Sequence, residues 1–321
     1  MLRDLLGGED AQMQAALDVI AAAAPDILLL TDTDWDEGGA GLAALSAALA
    51  ERGLALPHVV SPRPNSGMAT GLDMDGDGRT GTPRDAQGYG RFAGDGAPAL
   101  LSRWEIDTAG LRDFTGLLWR DLPGATLPVP DGAPFPSEGA QAVQRLSSTA
   151  HWVVPVRAPG GPVAIAAFSA TPPVFDGAED RNGLRNADEV RLWQLWLDGV
   201  LGAPPDGPVA ILGNAQLDPE DGEGRREAIR ALLAHPRLQD PAPQSGGGAG
   251  AADPDQRGDP SLDTAEWDGP GNLRVSYVLP SRDWIVTESG VLWPPPGDPL
   301  AEAVAAAGPH RLVWVDLARP D

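Results

Sequence analysis

The chain has 321 residues, 42% of them hydrophobic and 21% charged, which is enough apolar material for a large buried core and excludes a disordered or fibrous polypeptide. Its 46 acidic and 23 basic residues leave a formal net charge of −23, and every basic residue is arginine, so a broad polybasic surface for nucleic-acid backbones or anionic lipid is excluded and long nucleic acids are disfavoured as partners. With no cysteine, disulfides, thiol nucleophiles and thiolate zinc sites are ruled out together.

The first ten residues lack the basic start and continuous apolar run of a secretory signal, so the chain as written reads as cytoplasmic. Residues 9–23 are predicted to form a helix stopped by Pro25, and 27–31 form a short, wholly apolar run expected of a buried strand. Pro25 and Asp26 interrupt the richest apolar stretch, and no membrane span is expected. A second helix is predicted over 41–52 and a short strand over 99–102. Two β-rich segments, 151–157 and 163–169, are joined by Pro159-Gly160-Gly161-Pro162 and read as a hairpin. Residues 186–201 are amphipathic, with Val190, Trp193, Leu197 and Leu201 on one face; a buried strand at 208–213 and a helix at 225–234 follow. Segment 244–257 is rich in Gly, Ala and Asp and is expected to be a flexible loop. Residues 272–280 and 284–293 resemble paired strands, and 311–317 alternates as a last one. This mixture predicts α/β layers around sheets, in a single domain over 1–321.

Three features carry candidate chemistry. In the run Asp73-Met74-Asp75-Gly76-Asp77-Gly78, carboxylates two apart and turn-forming glycines can converge on a hard cation, naturally calcium. The twelfth position of such a loop is Arg84 rather than a bidentate glutamate, followed by Asp85 as a substitute ligand; the alternative is a merely acidic, glycine-rich turn. Asp32, Asp34 and Asp36 follow the apolar strand and would face one side if it continued. Carboxylates in that place commonly serve catalysis or metal binding, and a solvated acidic loop is the alternative. His310 precedes the last strand, and an isolated histidine is more often a hydrogen-bonded loop or core residue than a catalyst. His58, His151 and His235 form no pair at metal-ligand spacing. The tryptophans fall mostly in apolar segments, which makes core packing their default role.

The order of segments is more specific than any one motif. Asp26-Ile27-Leu28-Leu29-Leu30 before an acidic cluster, Arg63-Pro64-Asn65-Ser66-Gly67, the Asp-Gly loop, Gly88-Tyr89-Gly90-Arg91-Phe92, Arg145-Leu146-Ser147-Ser148, Thr171-Pro172-Pro173-Val174-Phe175-Asp176-Gly177, Glu179-Asp180-Arg181-Asn182-Gly183 and Arg274-Val275-Ser276-Tyr277 together resemble bacterial endonuclease/exonuclease/phosphatase family proteins, over residues 2–317. The resemblance implies a deoxyribonuclease I-like fold: a four-layer α/β sandwich of two packed mixed sheets flanked by helices, with the site at one end of the sheets. It also implies a divalent metal, magnesium, and hydrolysis of phosphate esters.

Position by position, the chain departs from that chemistry. Asp32 matches the metal-binding acid, in place of the customary glutamate. The family's Gly-Asp-x-Asn reads Gly213-Asn214-Ala215-Gln216, and a neutral amide cannot take a proton from water near pH 7. The acid beside the late histidine is Pro309, before His310. The aspartate that orients this histidine is Ser276, so His310 is expected to be neutral at pH 7. The phosphate-contacting histidine is Ser169, and the family's first strand with its asparagine is expected upstream of Met1; a start further upstream would also permit export. These substitutions lead to an expectation of a pseudoenzyme, inactive or binding a small phosphate ester or protein ligand. The alternatives are a weak magnesium-dependent phosphodiesterase or phosphomonoesterase and a calcium-stabilised binding module.

Overall fold

The computed structural model describes residues 1–320. Two helices open the chain, α1 (Leu2–Gly7) and α2 (Ala11–Ala23), the second capped by the Asp10 side chain, which accepts the Met13 N–H at 2.8 Å. Next come β1 (Ile27–Thr33), α3 (Ala40–Glu51), β2 (His58–Val60), β3 (Ala97–Ser102), β4 (Arg112–Asp113) and α4 (Glu138–Val143). The hairpin of β5 (Ala150–Val156) and β6 (Val163–Ser169) precedes α5 (Arg181–Leu197), β7 (Val209–Asn214) and α6 (Glu227–Leu233). The chain closes with α7 (Gly246–Gly250), β8 (Ala265–Trp267), β9 (Gly271–Leu273), β10 (Ser276–Pro280), β11 (Ile285–Leu292), α8 (Ala301–Ala307) and β12 (Leu312–Ala318). No helix among the described residues is long and apolar enough to cross a membrane.

Two sheets carry the fold, one in the order β1-β3-β2 and the other β10-β7-β6-β5-β4. In the larger sheet β6 and β7 are parallel, with α5 as the crossover between them, and the remaining pairs are antiparallel. Period-two alternation sorts each strand between layers. Ile27 and Leu29 of β1, Leu100 of β3, Trp152 and Val154 of β5, and Ile165 and Ala167 of β6 form the core between the sheets. On the outer face of the large sheet, Phe168, Ile211 and Leu279 pack with Trp193 and Trp196 of α5 and Ile229 and Leu232 of α6. On the outer face of the small sheet, Leu28, Ala99 and Leu101 pack with Leu17 and Ile20 of α2 and Leu42, Leu45 and Leu49 of α3. The result is the four-layer, helix-sheet-sheet-helix order expected from the sequence.

Two expectations need correction. Residues 272–280 and 284–293 do not pair with each other: β10 is bonded to β7, and β11 to β12. The Ser281 N–H bonds to Val209 O and the Trp284 N–H to Ser281 O, a turn that directs the chain away from β10. Alternation reveals a strand without revealing its neighbour. Within 244–257, α7 forms with the Ser245 hydroxyl as its cap, and Gly247 and Gly248 are buried against Trp293 and Pro260, where a Cβ would collide.

Candidate functional site

At one end of the large sheet, register places Ser169, Asn214 and Ser276 in a row across β6, β7 and β10. Alternation puts them on the face toward the small sheet, in phase with Ile165, Ala167, Ala210 and Leu212. Ser169 and Asn214 are buried and Ser276 half-buried. Gly213 is required beside this row because a Cβ there would collide with Phe168. Asn214 Oδ1 accepts the Gln216 N–H at 3.1 Å, and Gln216 has φ +52°, a left-handed turn just past the end of the strand. Three of the positions singled out in the sequence, all neutral, thus adjoin one another.

Asp32 lies near the end of β1 in the facing sheet. The ladder with β3 slips between Leu30 and Thr33, a bulge that breaks strict alternation at Asp32. Partial shelter from water, and then the negative charges of Asp95 and Asp34, raise its carboxyl above the ordinary range. The neighbouring acids do not face one side with it, because the strand stops at Thr33. Asp34 takes the amino group of Met1 at 2.7 Å, and Asp36 accepts the N–H groups of Ala40 and Gly41, which hold its pKa down. Asp218, buried two residues beyond Gln216, is also committed. It accepts N–H groups of Glu220, Asp221 and Arg274 at 2.6 to 2.8 Å.

His310 sits in an exposed turn before β12, bridged to Ala265, its ring edge-to-face with Trp267 at 5.1 Å. Desolvation, and then the adjacent Arg311 guanidinium, lower its pKa to about 4. Pro309 offers its carbonyl to the Glu266 N–H and has no side-chain ligand.

The Asp-Gly loop is a separate cluster. Oxygens of Asp73, Asp75 and Asp85 lie within 4.8 Å of one another, a group able to hold a metal. Asp77, expected as a further ligand, is outside that group; its carboxylate accepts the Arg79 N–H at 2.8 Å. Asp73 spans Gly76 and Gly78 N–H, and buried Asp85 accepts from Met74 and Thr82. Arg84 approaches Asp75 at 3.7 Å.

The polar side of α5 does not emerge from the sequence reading. Asn186 Nδ2 donates to Thr171 O and Ala215 O, both at 2.7 Å, tying together the turns that follow β6 and β7. Fully buried Glu189 accepts from Ser148 N, Ser148 Oγ and Thr171 N at 2.6 to 2.8 Å; burial nevertheless raises its pKa. Arg185 donates to carbonyls of Leu146, Arg145, Ser147 and Gln87. The available signal was three polar residues on the face that carries Val190 and Trp193, where an amphipathic helix should be apolar.

A sequence model described as the endonuclease/exonuclease/phosphatase family matches residues 5–311. Among solved structures, an endonuclease/exonuclease/phosphatase from Beutenbergia cavernae DSM 12333 superposes with a TM-score of 0.55 at 16% identity, covering 97% of this chain and 66% of that one. The chain therefore spans just under two thirds of that protein's length. A family protein from Leptotrichia buccalis C-1013-b gives a TM-score of 0.54 at 13% identity, covering 97% and 93%. The human Nocturnin catalytic domain gives 0.50 at 13% identity, covering 97% and 87%. At these identities the likeness shows the deoxyribonuclease I-like fold. Comparison with curated proteins finds no match.

Proposed function

The chain belongs to the endonuclease/exonuclease/phosphatase family, a family of metal-dependent phosphoesterases, and we propose that it is a member whose catalytic centre is largely lost and which works by binding a ligand or protein partner. The observation that carries this reading is the row Ser169, Asn214 and Ser276, neutral side chains side by side at the strand ends, and the resemblance adds the neutral Gln216 and Pro309. Magnesium is held through oxygen ligands, usually including one or two carboxylates. The matched donor set offers one carboxylate, Asp32, its pKa raised, together with amides, hydroxyls and an imidazole. That set does not fit a tightly held magnesium ion. Substitution by a neighbouring acid is opposed by the bonds those acids already make, since Asp34, Asp36 and Asp218 are each occupied by N–H or ammonium donors.

Loss of a general base or of a charge stabiliser costs typically about 10² to 10⁴ in rate. Purified protein with millimolar magnesium is expected to hydrolyse neither bis(p-nitrophenyl) phosphate nor p-nitrophenyl phosphate above the buffer rate. Chelator-sensitive turnover that disappears in Asp32→Ala would establish the weak phosphoesterase instead. Combining Asn214→Asp, Ser276→Asp and Pro309→Asp is expected to raise magnesium affinity by about tenfold or more in calorimetry, because ligand charge is restored.

The converging oxygens of Asp73, Asp75 and Asp85 favour a second reading, a calcium-stabilised binding module. Calcium at 100 times its Kd would add roughly 2.7 kcal/mol of stability. The expected outcome is a rise in Tm with millimolar calcium that Asp75→Ala abolishes; an unmoved Tm rejects this reading.

A further inference from the structure

Between the turn from β1 into α3 and the segment that follows β2 lies a pocket of about 310 Å³, with Leu42, Val59 and Pro62 as its apolar wall. Leu42 and Val59 pack in the cluster on the outer face of the small sheet, whereas the neutral row is in phase with the cluster between the sheets. The pocket is therefore a second site and not an extension of the row. Ligand sites in proteins run from about 300 to 1,000 Å³, which limits this one to a compact guest.

Hydrogen bonds fix its walls. Trp35 Nε1 donates to Ser61 O at 2.9 Å and Ser61 Oγ to Pro98 O at 2.7 Å, which fastens the residues after β1 and β2 to each other and to β3. Asp36 accepts the N–H groups of Ala40 and Gly41 and so holds the turn into α3. A site ordered in advance loses less entropy when it binds. Its charges are distinctive in a chain with twice as many acids as arginines. Exposed Arg63 holds its guanidinium over the Trp35 ring, 5.8 Å from the centroid, and among the described residues it enters no ion pair and no side-chain hydrogen bond. Glu37, exposed and also lining the pocket, enters neither. A cation and a carboxylate thus border one small apolar pocket without meeting each other, and the hydrogen-bonding sites of both are free.

We propose that this pocket binds a free α-amino acid with an apolar side chain, its carboxylate on Arg63, its ammonium at Glu37 and Asp36, and its side chain against Leu42, Val59 and Pro62. A planar guanidinium takes a carboxylate through two parallel N–H···O bonds. A purely anionic ligand, phosphate above all, would meet Arg63 but be repelled by the two acids, and an amine without a carboxylate would leave Arg63 unanswered. A zwitterion satisfies both signs, and an apolar side chain covers the remaining wall. None of these groups belongs to the row, so the assignment stands whether or not catalysis is retained there.

Calorimetry on the full chain tests this with L-leucine and L-phenylalanine, each compared with its amide, which lacks the carboxylate, and its N-acetyl form, which lacks the ammonium. At least one of the two amino acids is expected to bind with a Kd below about 1 mM, and its blocked forms to bind about tenfold more weakly or worse. Arg63→Gln and Glu37→Gln alter exposed side chains without partners, so Tm is expected to hold while each weakens binding by about tenfold or more. In the unmodified chain the indole N–H resonance that is absent from Trp35→Phe is expected to shift on binding. Three results would overturn the assignment: no heat from either amino acid up to about 10 mM, equal binding of the blocked forms, or an affinity unchanged in either variant.

Discussion

Glu189 and Asn186 lie three positions apart on α5, and between them they hold the turns that carry the neutral row in place. Removing the Glu189 side chain would leave the N–H groups of Ser148 and Thr171 buried without acceptors. Glu189→Ala is expected to destabilise the fold by on the order of 3 kcal/mol, measured as a shift in the urea midpoint. At this scale the sequence was informative where a motif had a fixed neighbour. Asn214, Gln216, Ser276 and Pro309 were found through short motifs that survive around them. Asn186 and Glu189 were not, because their partners, Ser148, Thr171 and Ala215, come from three distant segments and no local spacing joins them. The expectation that Asp32, Asp34 and Asp36 share a side failed for a comparable reason. Met1 and the first turn of α3 claim two of them, and neither claim is written in a two-residue spacing.

Single elements were the most legible part of the chain. The 3.6-residue period of α5 matches what the helix does, since Val190, Trp193 and Leu197 all enter the core against Phe168 and Ile211. Trp193 is fully buried and touches both Phe168 and Trp196, edge-on in each case. Trp193→Ala is expected to cost about 3–5 kcal/mol, read as a fall in the unfolding midpoint; a loss below about 1 kcal/mol would show that the helix can repack over the sheet. The hairpin of β5 and β6 was equally legible, because one proline- and glycine-rich turn joins two β-rich runs and leaves few other pairings. Pairing of remote strands was not. The partner of β11 lies beyond α8, and alternation gives the same signal whichever strand is adjacent.

Across the whole molecule, the excess of acid appears both as a surface property and as a strain on burial. Asp263 is buried with one oxygen bonded to the Gln256 amide, and Asp218, Asp221 and Asp253 surround it without a cation, so burial and repulsion push its pKa up to about 7. The folded state then holds a proton that the unfolded chain releases near pH 4, and stability contributed by this group falls as pH rises from about 4 to about 7. His151 acts in the opposite direction. Desolvation lowers it to about 3, so stability is lost as pH falls below about 6.5, when the unfolded chain takes up a proton and the buried ring does not. The two slopes partly cancel in the native protein. Asp263→Asn is therefore expected to remove the Asp263 contribution, making ΔG of unfolding rise more steeply with pH between about 4 and 6.5 than in the unmodified chain; parallel pH profiles would refute the assignment.

Composition, periodicity and short motifs determined the class of fold and the neutral chemistry at the matched positions, because these depend on side-chain type and on spacing within a few residues. Strand partners and the commitments of individual carboxylates were decided by the tertiary structure. Each depends on which distant backbone groups arrive at the same place, and hydrogen bonds between remote segments leave no periodic trace in the chain that makes them.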